Sequence, residues 1–103
     1  MAIKSIGKVT VATAGTPVAV SSTSIPVCWV RFVALSANTG NIIPGDSTLD
    51  SATLAGAFHD GLSAGQPYEI AVGSAGQNIG DLAQMKVDAT VNGESCLVIY
   101  GQT

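Results

Sequence analysis

His59 is the only histidine in the chain, and Asp46, Asp50 and Asp60 lie close to it in sequence. Imidazole and carboxylates are the usual parts of a metal site or an acid/base pair. Their spacing matches no ligand motif, so the expectation is polar loop residues that solvate a turn and cap local backbone. Nucleophilic catalysis fares no better. One histidine offers one base, and no Gly-x-Ser-x-Gly elbow presents a serine to it. Gly73, Gly76 and Gly80 are irregularly spaced and lead into no helix, so they form neither a phosphate-binding loop nor a dinucleotide fingerprint and are read as turn glycines. Glu69 alternates with Tyr68 and Ile70 and is read as a solvent-facing strand position. No catalysis, cofactor or metal is expected. Trp29 could line a sugar-binding face, as exposed aromatics do on many β proteins, although one tryptophan brings no converging polar groups with it.

Two thiols remain. Cys28 and Cys96 are too few and too far apart to form a secreted disulfide framework or a zinc knuckle, so they are read as reduced core residues. A disulfide between them in a mature extracellular particle is the alternative.

The elements that must position these residues follow from length and composition. One hundred and three residues supply one core and one domain, 1–103, large enough to fold without metal or disulfide staples. Charged residues are only 11% against about 25% in an ordinary soluble domain, so something other than charge must cover the outside. Four Lys/Arg against seven Asp/Glu give a net charge of -3 and a pI near 4.6, the wrong sign for gripping phosphates, and no nucleic-acid partner is expected. No apolar run is long enough to span a bilayer as a helix. No apolar h-region follows the first lysine, so the expectation is no membrane, no signal peptide and synthesis in the cytoplasm.

Val, Ile and Thr recur in short stretches broken by Gly, Pro, Asn and Ser, which is the punctuation of an all-β domain. Alternation predicts strands at 8–12 and 17–21 around an Ala14-Gly15-Thr16 turn, and the nearly continuous apolar run at 27–35 predicts a strand covered on both faces. A short strand at 41–44 should end, or lie at an edge, because of Pro44. Residues 46–66 look irregular, with a weak helical turn at 50–57; a connection this long usually carries an interaction. Strands follow at 67–72, 78–82, 84–91 and 95–100, with a flexible turn at 73–77.

Asn92-Gly93 is the strongest two-residue type I′ signal, and it predicts a hairpin with Val91 opposite Glu94, Ala89 opposite Cys96, Val87 opposite Val98 and Met85 opposite Tyr100. Met85, Val87, Ala89, Cys96, Val98 and Tyr100 then face the core. Lys86, Asp88 and Thr90 lie outside beside Leu97 and Ile99. A one-residue slip would turn Leu97 and Ile99 inward.

The stretch Val30-Arg31-Phe32-Val33-Ala34-Leu35, followed by Ser36-Ala37-Asn38-Thr39-Gly40-Asn41-Ile42 and Pro44-Gly45-Asp46-Ser47, resembles a group of small tailed-bacteriophage virion proteins. Those proteins open with a Thr-Ala-Gly-Thr turn, here Thr13-Ala14-Gly15-Thr16, and close with a tyrosine-bearing strand, here ending at Tyr100. The group includes head decoration, or cement, proteins. The resemblance implies an antiparallel two-sheet sandwich, jelly-roll-like, and a homotrimer on the capsid surface that binds the major capsid protein and stabilises the shell. The chain departs from it at 46–66, which is longer and richer in alanine. A tail, neck or fibre component is the alternative within virions, and a carbohydrate-binding module the alternative outside them.

In the same resemblance, Cys28, Val30, Phe32 and Ala34 make the core face of their strand. Trp29, Arg31, Val33 and Leu35 then point outward, where a neighbouring subunit should cover them together with Leu97 and Ile99. A desolvated guanidinium needs a partner, so Arg31 is expected to find a carboxylate across that interface.

Overall fold

The computed structural model describes residues 2–71, 78 and 80–103. Strands dominate: β1 (Ala2–Val11), β2 (Val18–Ala19), β3 (Pro26–Val27), β4 (Trp29–Ala34), β5 (Ile42–Asp50), β6 (Ala55–Ala57), β7 (Pro67–Ala71), β8 (Gly80–Asp81), β9 (Met85–Ala89) and β10 (Glu94–Gln102). The one helical element among the described residues is a 3-10 turn, Leu82–Gln84, capped by the Asp81 side chain. One four-stranded sheet has the order β1-β10-β4-β7 and a second the order β2-β9-β5-β6, while β3 and β8 form a two-stranded ribbon. Every pairing is antiparallel. The turn expected at 73–77 lies outside the described residues, as does Val72 at the end of the strand expected there.

Alternation explains the core. Val30, Phe32 and Ala34 of β4 and Cys96, Val98 and Tyr100 of β10 join Met85, Val87 and Ala89 of β9 and Ile42 of β5 in one buried cluster fed by both large sheets. Leu62 and Leu82 close it from the loops. Burial of each such large side chain is worth roughly 1.5–3 kcal/mol.

Four expectations need correction. β9 and β10 are not a hairpin: β9 pairs with β2 and β5, and β10 with β1 and β4, so Asn92-Gly93 carries the chain from one sheet to the other. A type I′ turn needs positive φ at both central residues. Only Gly93 has it, at 80°, and its N–H donates to Val11 O at 2.8 Å, while the Asn92 side chain accepts from the Ala14 N–H at 2.7 Å. The faces survive this change, because two apolar rows satisfy each other across a core as well as side by side.

Pro44 does not end its strand. β5 runs on to Asp50 between β9 and β6, with Pro44 buried and opposite Val87. Ile42 exchanges both backbone bonds with Leu62, so Pro44, two residues on, turns its nitrogen to that same side and spares the ladder to β9. Its carbonyl accepts from the Phe58 N–H at 2.8 Å. Nor is 50–57 a helical turn. Asp46 Oδ1 accepts from Thr48 N–H and Asp50 Oδ1 from Ala52 N–H, local bonds that favour turns over helix, and the chain doubles back as β6.

Asp88, expected outside, is fully buried. The loop between β1 and β2 folds over it, and its Oδ1 accepts from Gly15 N–H at 3.0 Å and Ala89 N–H at 2.8 Å, leaving Oδ2 without a protein partner. Asp88→Ala strands both N–H groups and should lower stability by about 1–3 kcal/mol. Hydrogen exchange should show the Gly15 amide losing protection, and an unchanged denaturation midpoint with full protection there would contradict this anchoring role.

Candidate functional site

With Val30, Phe32, Cys96 and Val98 inside, the opposite face of the β1-β10-β4-β7 sheet is set by register. Three rows cross it: Lys8, Leu97, Val33 and Pro67; then Ser5, Ile99, Arg31 and Glu69; then Ile3, Gly101 and Trp29. Five of the six residues singled out from sequence share these rows, and Leu35 lies just beyond β4, its N–H donating to Ser95 O at 3.3 Å. Trp29, Val33, Leu35, Leu97 and Ile99 are half-buried and Arg31 is exposed.

Part of their cover comes from the chain itself. A Cβ at Gly101 would collide with Nε1 and the ring carbons of Trp29, so the indole lies against the glycine of the neighbouring strand. Glycine is required here by the close approach of an aromatic ring. Arg31 does not wait for a carboxylate from another subunit. Its Nε and Nη2 both donate to Glu69 Oε1, at 3.0 and 2.7 Å, from the directly opposed position on β7. Both side chains are about half exposed, at 48% and 52%, so the pair is worth little in stability and serves to neutralise the centre of the face. The sequence signal for it was present in the alternation that turns both residues outward, but it needed the β4–β7 pairing to be used.

The groups first considered for chemistry are spent on structure. His59 Nδ1 accepts from the Gly61 N–H at 2.9 Å, so the 3.5 Å approach of Asp60 Oδ1 to the same nitrogen is not an ion pair. Its ring packs edge-on against Tyr68, with centroids 5.2 Å apart. Asp46 and Asp50 cap their own turns, and no group of three or more His, Cys, Asp or Glu among the described residues could hold a metal ion. Burial pushes the Cys96 thiol up to about 12, against a weaker opposing backbone hydrogen bond, so it carries no thiolate at neutral pH. Cys28 N–H bonds Gly101 O while Cys96 lies five residues back along β10, a separation of about 16 Å at the usual strand rise. Both thiols are buried, and a disulfide between them is out of range.

Two further carboxylates hold loops, and Asp46 takes a second bond in its turn. Asp81 accepts from the Ser24 hydroxyl and from Ala83 and Ile25 N–H groups; Glu94 accepts from Thr39 N–H, Gly40 N–H and the Thr39 hydroxyl; Asp46 takes both the hydroxyl and the N–H of Thr48. The Ser24 hydroxyl for Asp81, the Thr39 N–H for Glu94 and the Thr48 hydroxyl for Asp46 are the largest causes holding these carboxyls below their ordinary values. No protein family, curated protein or solved structure matches the chain.

Two outcomes follow. Gly101→Ala should drive Trp29 off the sheet, with a red-shifted emission from the only tryptophan and a stability loss of about 1–3 kcal/mol; unshifted emission would show that the indole does not rest there. Carboxyls depressed on folding contribute stability that is complete above their unfolded values, 3.8 for Asp and 4.5 for Glu, and lost as pH falls through the lower folded values. The urea midpoint should therefore be level above about pH 5 and decline below about pH 4, less steeply in Glu94→Gln. An identical acid slope in that variant would remove Glu94 from the account.

Proposed function

We propose that the chain is a structural protein of a virus particle, a bacteriophage capsid decoration protein. Made in the host cytoplasm, it binds the outer capsid lattice as a homotrimer and clamps neighbouring major capsid protein subunits. The observation that carries this reading is the outer face of the β1-β10-β4-β7 sheet. Leu97, Val33, Ile99 and Trp29 lie in adjacent rows there, and the one acid in those rows, Glu69, is paired with Arg31. A face with so little net charge and so much half-covered apolar surface suits lasting contact with another protein.

The architecture supports the same reading. Taken in chain order, β1, β4, β7 and β10 belong to one sheet and β2, β5, β6 and β9 to the other, and both contribute to one core. Two antiparallel sheets that feed one core support the reading of a two-sheet sandwich, jelly-roll-like, an architecture common in capsid proteins. Trp29, Arg31, Val33, Leu35, Leu97 and Ile99 are the proposed contact residues.

Purified protein added to expanded shells that lack it should bind at symmetry-related sites and raise their thermal tolerance. Trp29→Ser with Val33→Ser should leave the strand spectrum intact and weaken the homotrimer in sedimentation at least about tenfold. Binding to tails or fibres alone would move the protein to another part of the virion. Glycan binding without shell binding would replace this reading with the carbohydrate-binding one.

A further inference from the structure

The two lateral sides of the molecule carry opposite charge. At one side stands β1, the end strand of its sheet, with no strand beyond it among the described residues. It holds Lys4 and Lys8, both exposed, two of the three lysines in the chain, and no acid. Ile3 between them and the N-terminal end is 66% exposed. At the other side, β6 ends the second sheet, and the chain continues along β5 through the Phe58 N–H to Pro44 O bond and the Ile42–Leu62 bridge. His59 packs on Tyr68 of β7, so the outer strands of both sheets meet on this side. Here lie exposed Asp50, Asp60 with its side chain 81% exposed, and Leu54, 42% exposed. Arg31 adds no free positive charge, because Glu69 has taken it.

We propose that copies of this chain associate head to tail, the β1 side of one against the 50–60 side of the next. The occupant is a second copy because each side offers what the other lacks: lysines and an exposed isoleucine against aspartates and an exposed leucine. Lysines on an end strand also repel an identical strand, so β1 against β1 is disfavoured while β1 against the acidic side is favoured. Patches on opposite sides cannot satisfy each other in a two-fold dimer. They build a head-to-tail contact, which closes into a ring when the rotation between neighbours permits. This adds a lateral contact to the self-association in the proposed decoration role, on which it rests, and is tested without shells; Lys8 and Ile3 also end rows of the outer face.

Sedimentation of the full chain at low and high salt reads the association. Wild type should be oligomeric and weaken as salt rises. Lys4→Glu with Lys8→Glu, and separately Asp50→Lys with Asp60→Lys, should each weaken association at least about tenfold. All four changes in one chain should restore it, and so should mixing the two double variants, since each then supplies the side the other lost. Circular dichroism on every variant separates lost contact from lost fold. A monomeric wild type, an oligomer indifferent to both double variants, or failure of the charge swap and the mixture to recover association in folded protein would each overturn the proposal. Shell binding measured on the folded Asp50→Lys, Asp60→Lys variant, whose changes lie outside the outer-face rows, reports on the decoration role by itself.

Discussion

The structure depends on one shared apolar layer to which both four-stranded sheets contribute. Phe32, Val30 and Val98 come from one sheet and Val87, Ile42 and Ala89 from the other, all buried. Because side chains alternate along a strand, each residue committed to this layer commits its neighbours to the outside. Phe32 inside means Arg31 and Val33 outside; Val98 inside means Leu97 and Ile99 outside. The half-covered apolar face is therefore a direct consequence of the core's parity, and changing it without changing the core requires substitution rather than a shift of register.

That parity was legible in the sequence, whereas strand partnership was not. The face of 84–91 emerges as the alternation indicates, Asp88 excepted; that of 95–100 came with a hairpin that does not form, and that of 27–35, apolar at nearly every position, came from the resemblance. Periodicity, though, reports only which side of a strand is apolar. Met85, Val87 and Ala89 could meet Tyr100, Val98 and Cys96 beside them or across the core, and the local pattern is the same in both cases. The turn decides between these. Asn92-Gly93 looks like a hairpin until tertiary hydrogen bonds from Ala14 to Asn92 and from Gly93 to Val11 claim it. Pro44 fails for a related reason: a proline is costly in a central strand only where its nitrogen faces a ladder bond, and sequence does not say which way that nitrogen points. The contact face was legible as a set of outward residues. Its internal compensation by Glu69 and Gly101 was not, since both belong to neighbouring strands.

Scarce charge has a second use in this fold. Glu94 joins the 39–40 loop to the start of β10, Asp81 joins 24–25 to the 3-10 turn, and Asp88 joins the 12–17 loop to β9. Each bond spans more than fifty residues of sequence. A carboxylate accepts from several N–H groups at once, and charge-assisted bonds are stronger than neutral ones, so a few acids order the long connections that two thiols too far apart to join cannot hold.

What the loops take also determines what charge remains for the surface. Asp81, Asp88 and Glu94 are engaged by backbone, and Glu69 by Arg31. Asp50 and Asp60 are the exposed acids of the middle of the chain, and Lys4 and Lys8 belong to its first strand. The sheet order converts this separation along the sequence into separation in space, because β1 ends one side of its sheet while β6 ends the opposite side of the other. With so little charge in the chain, strand order alone puts the exposed lysines on one end strand and exposed Asp50 and Asp60 beside another.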